Sequence, residues 1–216
     1  MAVISLSSTL LWALGLSLPL AAMTAASTPE EDSRLVEEVL GGNPEAFRGL
    51  VERYQGRIYN VIYGMVHNRD DAMELSQDSF LKAYRKLDSF HLDTKFYTWL
   101  CRIAINTTID FLRKHKNRHS VEFDENIAVR TDSGLFDGHT SNNPERNAEQ
   151  EELKKLVMSE VDKLPEDQKQ ILILKEIDGL SYKEIAEVVG IPQGTVMSRL
   201  YYARKRLQEA LEGKGL

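Results

Sequence analysis

A group of hydroxyl, aromatic and cationic side chains lies close to the C-terminus, between Gly194 and Leu207. Within it Val196, Leu200 and Leu207 recur at spacings of four and seven, which predicts a helix with one buried face. The opposite face carries Ser198, Arg199, Tyr201, Tyr202, Arg204, Lys205 and Arg206. Hydroxyls near the start of a helix and cations further along suit one whose first turns meet base edges and whose later turns meet phosphates.

A second, shorter helix is predicted directly before this one. Ser181 and Glu184 have the spacing of a capping box, and Gly190 and Pro192 end the apolar pattern that follows. Two short helices joined by a tight turn predict a helix-turn-helix. A basic face by itself could simply be solvated surface, but the capped partner helix and the Gly-Ile-Pro turn favour DNA binding.

Composition limits what kind of DNA-binding protein this could be. The chain has 216 residues, 42% apolar and 28% charged, with a net charge of -6. An acidic chain is not expected to coat DNA alone, so we expect weak binding by itself and help from a larger partner. The single cysteine, Cys101, excludes an internal disulfide and a site with several thiolates. It lies in an apolar segment, which predicts a buried thiol.

The N-terminal 22 residues fit this picture poorly. Leu6 to Ala22 is apolar, as in the core of a signal peptide, but no Lys or Arg precedes it. The other interpretation is a translation start placed too early, with Met23 as the true initiator. We favour the second, since a DNA-binding helix has to stay in the cytoplasm, and we predict that location.

A short helix is predicted from Ser33 to Leu40, ended by Gly41-Gly42. Two longer helices are predicted between there and residue 90. Asn43-Pro44 is a start signal, and Asp70-Asp71 is predicted to cap the next helix. After the first signal, apolar residues follow helical offsets over eighteen positions. They are Phe47, Leu50, Val51, Tyr54, Ile58, Val61, Ile62 and Met65. The second helix has an outer face with Glu74, Gln77 and Asp78.

The next predicted helix, from Phe96 to about Lys116, is apolar nearly all round. Against this background one polar line stands out, which we call the polar stripe: Arg102, Asn106, Asp110 and Arg113, at offsets of 0, 4, 8 and 11. It continues into Lys114 and a basic cluster. An exposed edge or an internal Arg and Asp pairing would also explain it, but a polar line ending in cations favours a nucleic-acid track.

The periodic pattern fails from Ser120 to Asn147, a stretch rich in Asp, Asn, Ser, Thr and Gly, which predicts a flexible acidic linker. No strand pattern occurs anywhere. We therefore predict an all-α chain of two helical domains, with an apolar extension at 1–32, a first domain at 33–118, the linker at 119–149 and a four-helix domain containing the helix-turn-helix at 150–212.

Two blocks of this sequence resemble a known family. DDAMELSQDSFLKAYRKLDSF with FYTWLCRIAINTTIDFLRK, and LPEDQKQILILKEIDGLSYKEIAEVVGIPQGTVMSRLYYARKRL, are similar to the two domains of bacterial sigma factors of the extracytoplasmic-function group. The resemblance implies a chain that binds core RNA polymerase and directs it to promoters, opening the minus-10 element with the first domain and contacting the minus-35 element with the second. It also implies an anti-sigma factor as a partner, and neither a cofactor nor a small-molecule substrate.

The same resemblance implies roles for individual residues. Glu74, Gln77 and Asp78 would meet the polymerase clamp. Minus-10 contacts would come from Phe90, Tyr97, Arg102, Asn106, Asp110, Arg113 and Lys114, with the loop from Phe90 to Lys95 holding a flipped base. Minus-35 contacts would come from Thr195, Met197, Ser198, Arg199, Tyr201, Tyr202, Arg204 and Lys205. Phe96 and Trp99, near the loop, are expected to be core. Family members often have a basic residue where Met197 and Tyr202 stand, which suggests more apolar contact here.

Two other classes of protein fit these features less well. A stand-alone helix-turn-helix repressor would bind symmetric sites without polymerase, and the acidic charge and long linker count against it. For a hydrolase or metal enzyme the histidines are scattered, and neither Cys-x-x-Cys nor Gly-x-Ser-x-Gly occurs. The chain is therefore predicted not to be an enzyme and to hold no metal.

Overall fold

The computed structural model describes residues 29–91, 93–119 and 144–214, although some side chains at the ends of these ranges are not described. Over these ranges the chain forms eight α-helices and one short 3-10 helix, with no strand. The prediction of an all-α fold is confirmed. The described residues divide into two compact units, the first containing the helices between residues 29 and 119 and the second most of residues 144–214.

Four helices build the first unit, and α2 is the one that all the others contact. They are α1 (Pro29–Leu40), α2 (Ala46–Val66), α3 (Arg69–Arg85) and α4 (Phe96–His119), with a 3-10 turn at Leu87–Ser89. Every apolar position predicted along α2 is buried except Val51, which is half-buried. At the N-terminal end, the carboxylate of Asp32 in α1 is buried and accepts from Arg53 and Tyr54 of α2. This attaches α1 to the central helix.

Two helix starts in the first unit differ from the predictions. α2 begins at Ala46 rather than Pro44, because a turn at Asn43 to Glu45 comes first, with the Ala46 amide donating to the Asn43 carbonyl at 3.2 Å. The cap of α3 is Asn68, not Asp70-Asp71. Asn68 has an extended backbone, and its side-chain oxygen accepts from the amides of Asp70 and Asp71 at 2.9 and 3.1 Å. The two aspartates therefore lie in the first turn, where their negative charge interacts favourably with the helix dipole and stabilises the helix.

The second unit is the predicted four-helix domain. It contains α5 (Pro144–Asp162), α6 (Glu166–Glu176), α7 (Tyr182–Val189) and α8 (Gln193–Glu212), and both α5 and α6 contact α8. Its core includes Val157, Val161, Ile171, Leu174, Ile185, Val196, Leu200 and Leu207. α5 starts earlier than predicted: Pro144 occupies the first helical position, so residues 144–149 are helical and not linker. The remainder of the predicted linker, residues 120–143, lies outside the described ranges.

The turn between α7 and α8 has the predicted capping. The amide of Ser181 donates to the Glu184 carboxylate at 2.9 Å, and the amide of Glu184 donates to the Ser181 hydroxyl at 3.2 Å. Gly190 has φ of +75°, which a residue with a side chain rarely adopts, and the Ile191 amide closes the helix end onto the Ala186 carbonyl at 3.1 Å. The helix-turn-helix prediction is confirmed in its local geometry.

Cys101 lies in the second turn of α4 with none of its surface exposed, as predicted. None of the helices between residues 29 and 214 that the structure describes is long and apolar enough to cross a membrane. The apolar N-terminal segment, including Met23, lies outside the described residues.

Candidate nucleic-acid interface

The outer face of α8 exposes three large side chains in its first three turns. Met197, Tyr201 and Tyr202 are 51%, 62% and 55% exposed, and the two tyrosine rings meet edge to face at 5.5 Å. Ser198 is exposed beside them, and its hydroxyl donates to the carbonyl of Thr195 at 3.0 Å. Thr195 itself is half-buried. Over its first three turns, the large side chains that α8 presents to solvent are therefore a thioether and two aromatic rings.

Two of the predicted cations on α8 are paired within the second unit. Arg204 donates from Nε and Nη2 to Oε1 of Glu176 in α6, at 3.0 and 2.5 Å, and the Glu176 side chain is only 6% exposed. Arg199 Nε lies 3.2 Å from Asp167, an exposed pair. Since a buried carboxylate needs its counter-charge, Arg204 is held to α6. Lys205 and Arg206 remain exposed on the later turns of α8.

The polar stripe is exposed along α4. Arg102, Asn106, Asp110 and Arg113 all lie on the surface, and Lys114 extends the line. Thr107, next to Asn106, is buried, and its hydroxyl accepts a hydrogen bond from Lys82 of α3 at 3.1 Å. The core therefore begins directly beside the stripe. The structure therefore brings the predicted stripe residues together on one open surface.

The loop before α4 and the first turn of α4 bury more aromatic rings than expected. Phe96 is buried as predicted, and Trp99 is half-buried. Phe90 and Tyr97, the two rings expected to be available for stacking, are also buried, at 7% and 6% exposure. Phe90 packs 5.3 Å from the Trp99 ring, and Tyr97 lies under the Arg57 guanidinium at 3.8 Å. An unpaired base could stack on either ring only after that ring becomes exposed.

The outer face of α3 carries Glu74, Gln77 and Asp78, all exposed, beside a groove that sequence reasoning missed. The groove holds about 850 Å³ between α2 and α3. Its lining includes Phe47, Val51, Tyr59, Met73, Ser76, Gln77, Leu81 and Tyr84. The Ser76 hydroxyl, at its buried side, has no hydrogen-bond partner among the described residues. The overlooked signal was apolar Met73, Leu81 and Tyr84 at helical spacing on an otherwise polar face.

The structure contains no group that could hold a metal ion, as far as its described residues extend. His115 and His119 are four apart near the end of α4, a spacing found in two-histidine sites, but no cluster of three or more ligands forms in these ranges.

A buried carboxylate in the second unit has a perturbed pKa. Hydrogen bonds from Lys163 and Lys214 to Glu160, at 2.8 and 2.6 Å, outweigh its burial and lower its pKa from the ordinary value. Lys214 follows α8 and Glu160 lies in α5, so this pair of contacts fastens the end of the chain to the domain.

We expect Glu160→Gln to destabilise the second unit at neutral pH, because a lowered pKa means that the ionised form is favoured by folding. The difference from the unsubstituted chain should begin to shrink as the pH falls below the ordinary glutamate pKa of about 4.3, and it should vanish once the pH has passed through the lowered pKa of Glu160 in the fold. The effect should be small and salt-sensitive, since the side chains of Lys163 and Lys214 are 65% and 39% exposed. Urea midpoints measured across pH test this. A difference that grows toward low pH would contradict it.

Comparison with known proteins assigns both units of the chain to one family of proteins. The family described as Sigma-70 region 2 matches residues 50–118, which contain the α3 face and the polar stripe, and the family described as Sigma-70, region 4 matches residues 154–207, which contain the helix-turn-helix. The chain is 39% identical over 189 residues to the RNA polymerase sigma-H factor of Pseudomonas aeruginosa, covering 86% of this chain and 96% of that protein. It is 41% identical over 182 residues to the ECF RNA polymerase sigma-E factor of Salmonella typhimurium, covering 84% and 94%.

The chain belongs to the extracytoplasmic-function group of sigma-70 factors. This sigma factor is a transcription initiation factor, and nothing in the comparisons supports a repressor. Solved structures agree. The sigma factor RpoE of Bartonella quintana, in complex with the anti-sigma factor NepR, aligns with a TM-score of 0.59 and 25% identity over 77% of this chain and 96% of that one. CnrH in complex with the cytosolic domain of CnrY shares the fold, with a TM-score of 0.62 and 24% identity over 85% and 98%.

Proposed function

We propose that this sigma factor brings core RNA polymerase to promoters through three surfaces: the α3 face for polymerase, the polar stripe for minus-10 DNA and the outer face of α8 for minus-35 DNA. The observation that carries the proposal is the exposure of the polar stripe on an otherwise largely buried helix. A solvent-exposed edge alone would also be polar, but this line ends in the exposed cations Arg113 and Lys114 and lies within the segment that matches Sigma-70 region 2, which favours DNA as its partner.

The stripe suits DNA in the act of opening. Unstacking a base costs a few kcal/mol, so binding energy has to favour the single strand. Arg102 and Arg113 offer charge to the backbone, whereas Asn106, between them, can both donate and accept toward an unpaired base. Phe90 and Tyr97 would take part only if the loop rearranges, because their rings are buried in the structure described above.

The α3 face suits a helical partner from the polymerase. Gln77 lines the groove while Glu74 and Asp78 lie on the exposed face beside it, so an apolar ridge could enter the groove while basic side chains meet the acidic rim. Met73, Leu81 and Tyr84 supply the exposed apolar area that such a contact would bury.

On α8 the phosphate contacts are assigned to Lys205 and Arg206, since Arg204 is paired with Glu176. We expect Lys205→Ala to weaken promoter binding by the holoenzyme about equally for all sequences and to lower the salt slope by about one charge. Filter binding from 50 to 200 mM salt measures it, with Gln208→Ala, an exposed uncharged position on the same helix, as the control. A changed sequence preference would instead identify Lys205 as a base contact.

Membership of this family also suggests a partner protein and a cellular location. The RpoE structure named above is a complex with an anti-sigma factor, and we propose a partner of this kind here, able to cover surfaces of both units. We also propose that the protein acts in the cytoplasm, where both core polymerase and the chromosome are found, and that it binds its partners without catalysing a reaction.

Run-off transcription tests the proposal. The purified chain with core polymerase, but not either alone, should initiate from defined sites in a set of genomic fragments. A stand-alone repressor would shift DNA tightly without polymerase and leave initiation unaltered. That second result would overturn the proposed function.

A further inference from the structure

The half of α8 that would meet base edges lacks a free guanidinium. In the segment from Gln193 to Tyr202, Arg199 is the single cation, and its Nε lies 3.2 Å from the Asp167 carboxylate. The common specific contact to guanine is a bidentate one from arginine or lysine to O6 and N7. While Nε stays on Asp167, Arg199 has only the Nη edge of its guanidinium left for a base, and its side chain is only 32% exposed.

The same half offers an apolar strip instead. Met197 and Tyr201 are four residues apart and therefore adjacent on the helix surface, and each has more than half of its side chain exposed. A thymine presents a methyl group in the major groove, and apolar side chains contact it. A patch for another protein would also expose such residues, but this strip lies on the first turns of the second helix of a helix-turn-helix, the part that faces bases.

Ser198 has the hydrogen-bonding state that complements this strip. Its hydroxyl proton is donated to the Thr195 carbonyl, which leaves the oxygen as an acceptor. In the major groove the adenine of a thymine-adenine pair presents an amino donor on the same edge as the thymine methyl, with thymine O4 between the two. A serine acceptor beside an apolar strip therefore matches both members of that pair.

We propose that the Met197 and Tyr201 strip selects the minus-35 element of this sigma factor by contacting thymine methyl groups, with Ser198 accepting from the paired adenines. This rests on the proposed function, since it concerns the DNA that the holoenzyme chooses.

The test removes single methyl groups from DNA. Holoenzyme assembled from the full chain and core polymerase first selects a minus-35 element from a random library placed upstream of a fixed start region. Each thymine of the winning element is then replaced by deoxyuridine, which lacks only the methyl. Binding should fall about three- to fivefold at one or two positions, the effect of one buried methyl group.

The matched variants identify the side chains responsible. With Tyr201→Ala or Met197→Ala the deoxyuridine penalty should disappear at one of these positions, while Tyr201→Phe and the control Gln208→Ala should keep it. Both sites are exposed, so folding should be unaffected, and circular dichroism checks this. No deoxyuridine penalty, a penalty unchanged in the alanine variants, or loss of binding with 7-deazaguanine instead would overturn the inference. A holoenzyme that enriches no sequence and starts from no promoter would overturn the proposed function as well.

Discussion

Replacing Glu176 with alanine is expected to lower the stability of the second unit by about 3 kcal/mol, at the lower end of the range for breaking a buried ion pair. Arg204 would then lose both hydrogen bonds to Oε1 and retain a charge that is mostly covered, with 28% of its side chain exposed. Because this pair joins α6 to α8, we expect minus-35 binding to be lost along with stability. Hydrogen exchange of the α6 and α8 amides during a urea titration measures the change.

The matched control is Glu209→Ala, which removes a carboxylate from α8, the helix that carries Arg204. Its contact with Lys205 is 3.8 Å long and both side chains are more than half exposed, so the loss should stay below about 1 kcal/mol. The double variant Glu176→Leu with Arg204→Met should recover much of the stability, since an apolar pair of similar size carries no desolvation cost. Equal effects of Glu176→Ala and Glu209→Ala would show that the pair contributes only as a surface contact.

Asn106→Ala is expected to impair promoter opening by up to about tenfold, the effect of one or two hydrogen bonds, while leaving recruitment within about twofold. The side chain lies in the middle of the polar stripe and is exposed, so the folded state should lose less than about 0.5 kcal/mol. Permanganate reactivity of thymines near the start site measures opening, and footprinting upstream measures recruitment.

A template that is already unpaired across the start region provides the decisive comparison for Asn106. If the amide stabilises the opened strand during melting, the variant should regain most of its activity on this template. Arg34→Ala, an exposed substitution on α1, should leave both steps unchanged. A parallel loss of recruitment and opening would contradict the assignment of the stripe to minus-10 DNA.

Much of the fold could be predicted because local rules were enough. The capping box at Ser181 and Glu184 involves residues three apart, and the apolar offsets along α2 depend only on helical periodicity. Errors appeared where two local signals competed. Asn68 and Asp70 are both good caps, and the chain uses Asn68 because its backbone is extended, which the sequence does not display. Pro144 was overlooked because the polar residues around it fit a linker equally well.

The candidate site was less predictable, because its chemistry depends on residues far apart in the chain. Glu176 and Arg204 are 28 positions apart in the chain, so their ion pair is not visible in the sequence. This ion pair changes the role expected of Arg204. Phe90 and Tyr97 lie next to an exposed loop in sequence, yet their rings pack into the core through Trp99 and Tyr54. The groove between α2 and α3 likewise exists only once both helices are packed, whereas the polar stripe could be found because it lies on a single helix.

The position of Cys101 provides a reporter for motion in one half of this sigma factor. It is the only thiol of the chain, and it lies on the buried side of α4 with no surface exposed. Alkylating reagents should therefore label the protein only when the first unit unfolds locally. The labelling rate would then report local unfolding of the first unit without a contribution from the second. A polymerase or anti-sigma factor that clamps the first unit would slow the labelling without touching the sulfur.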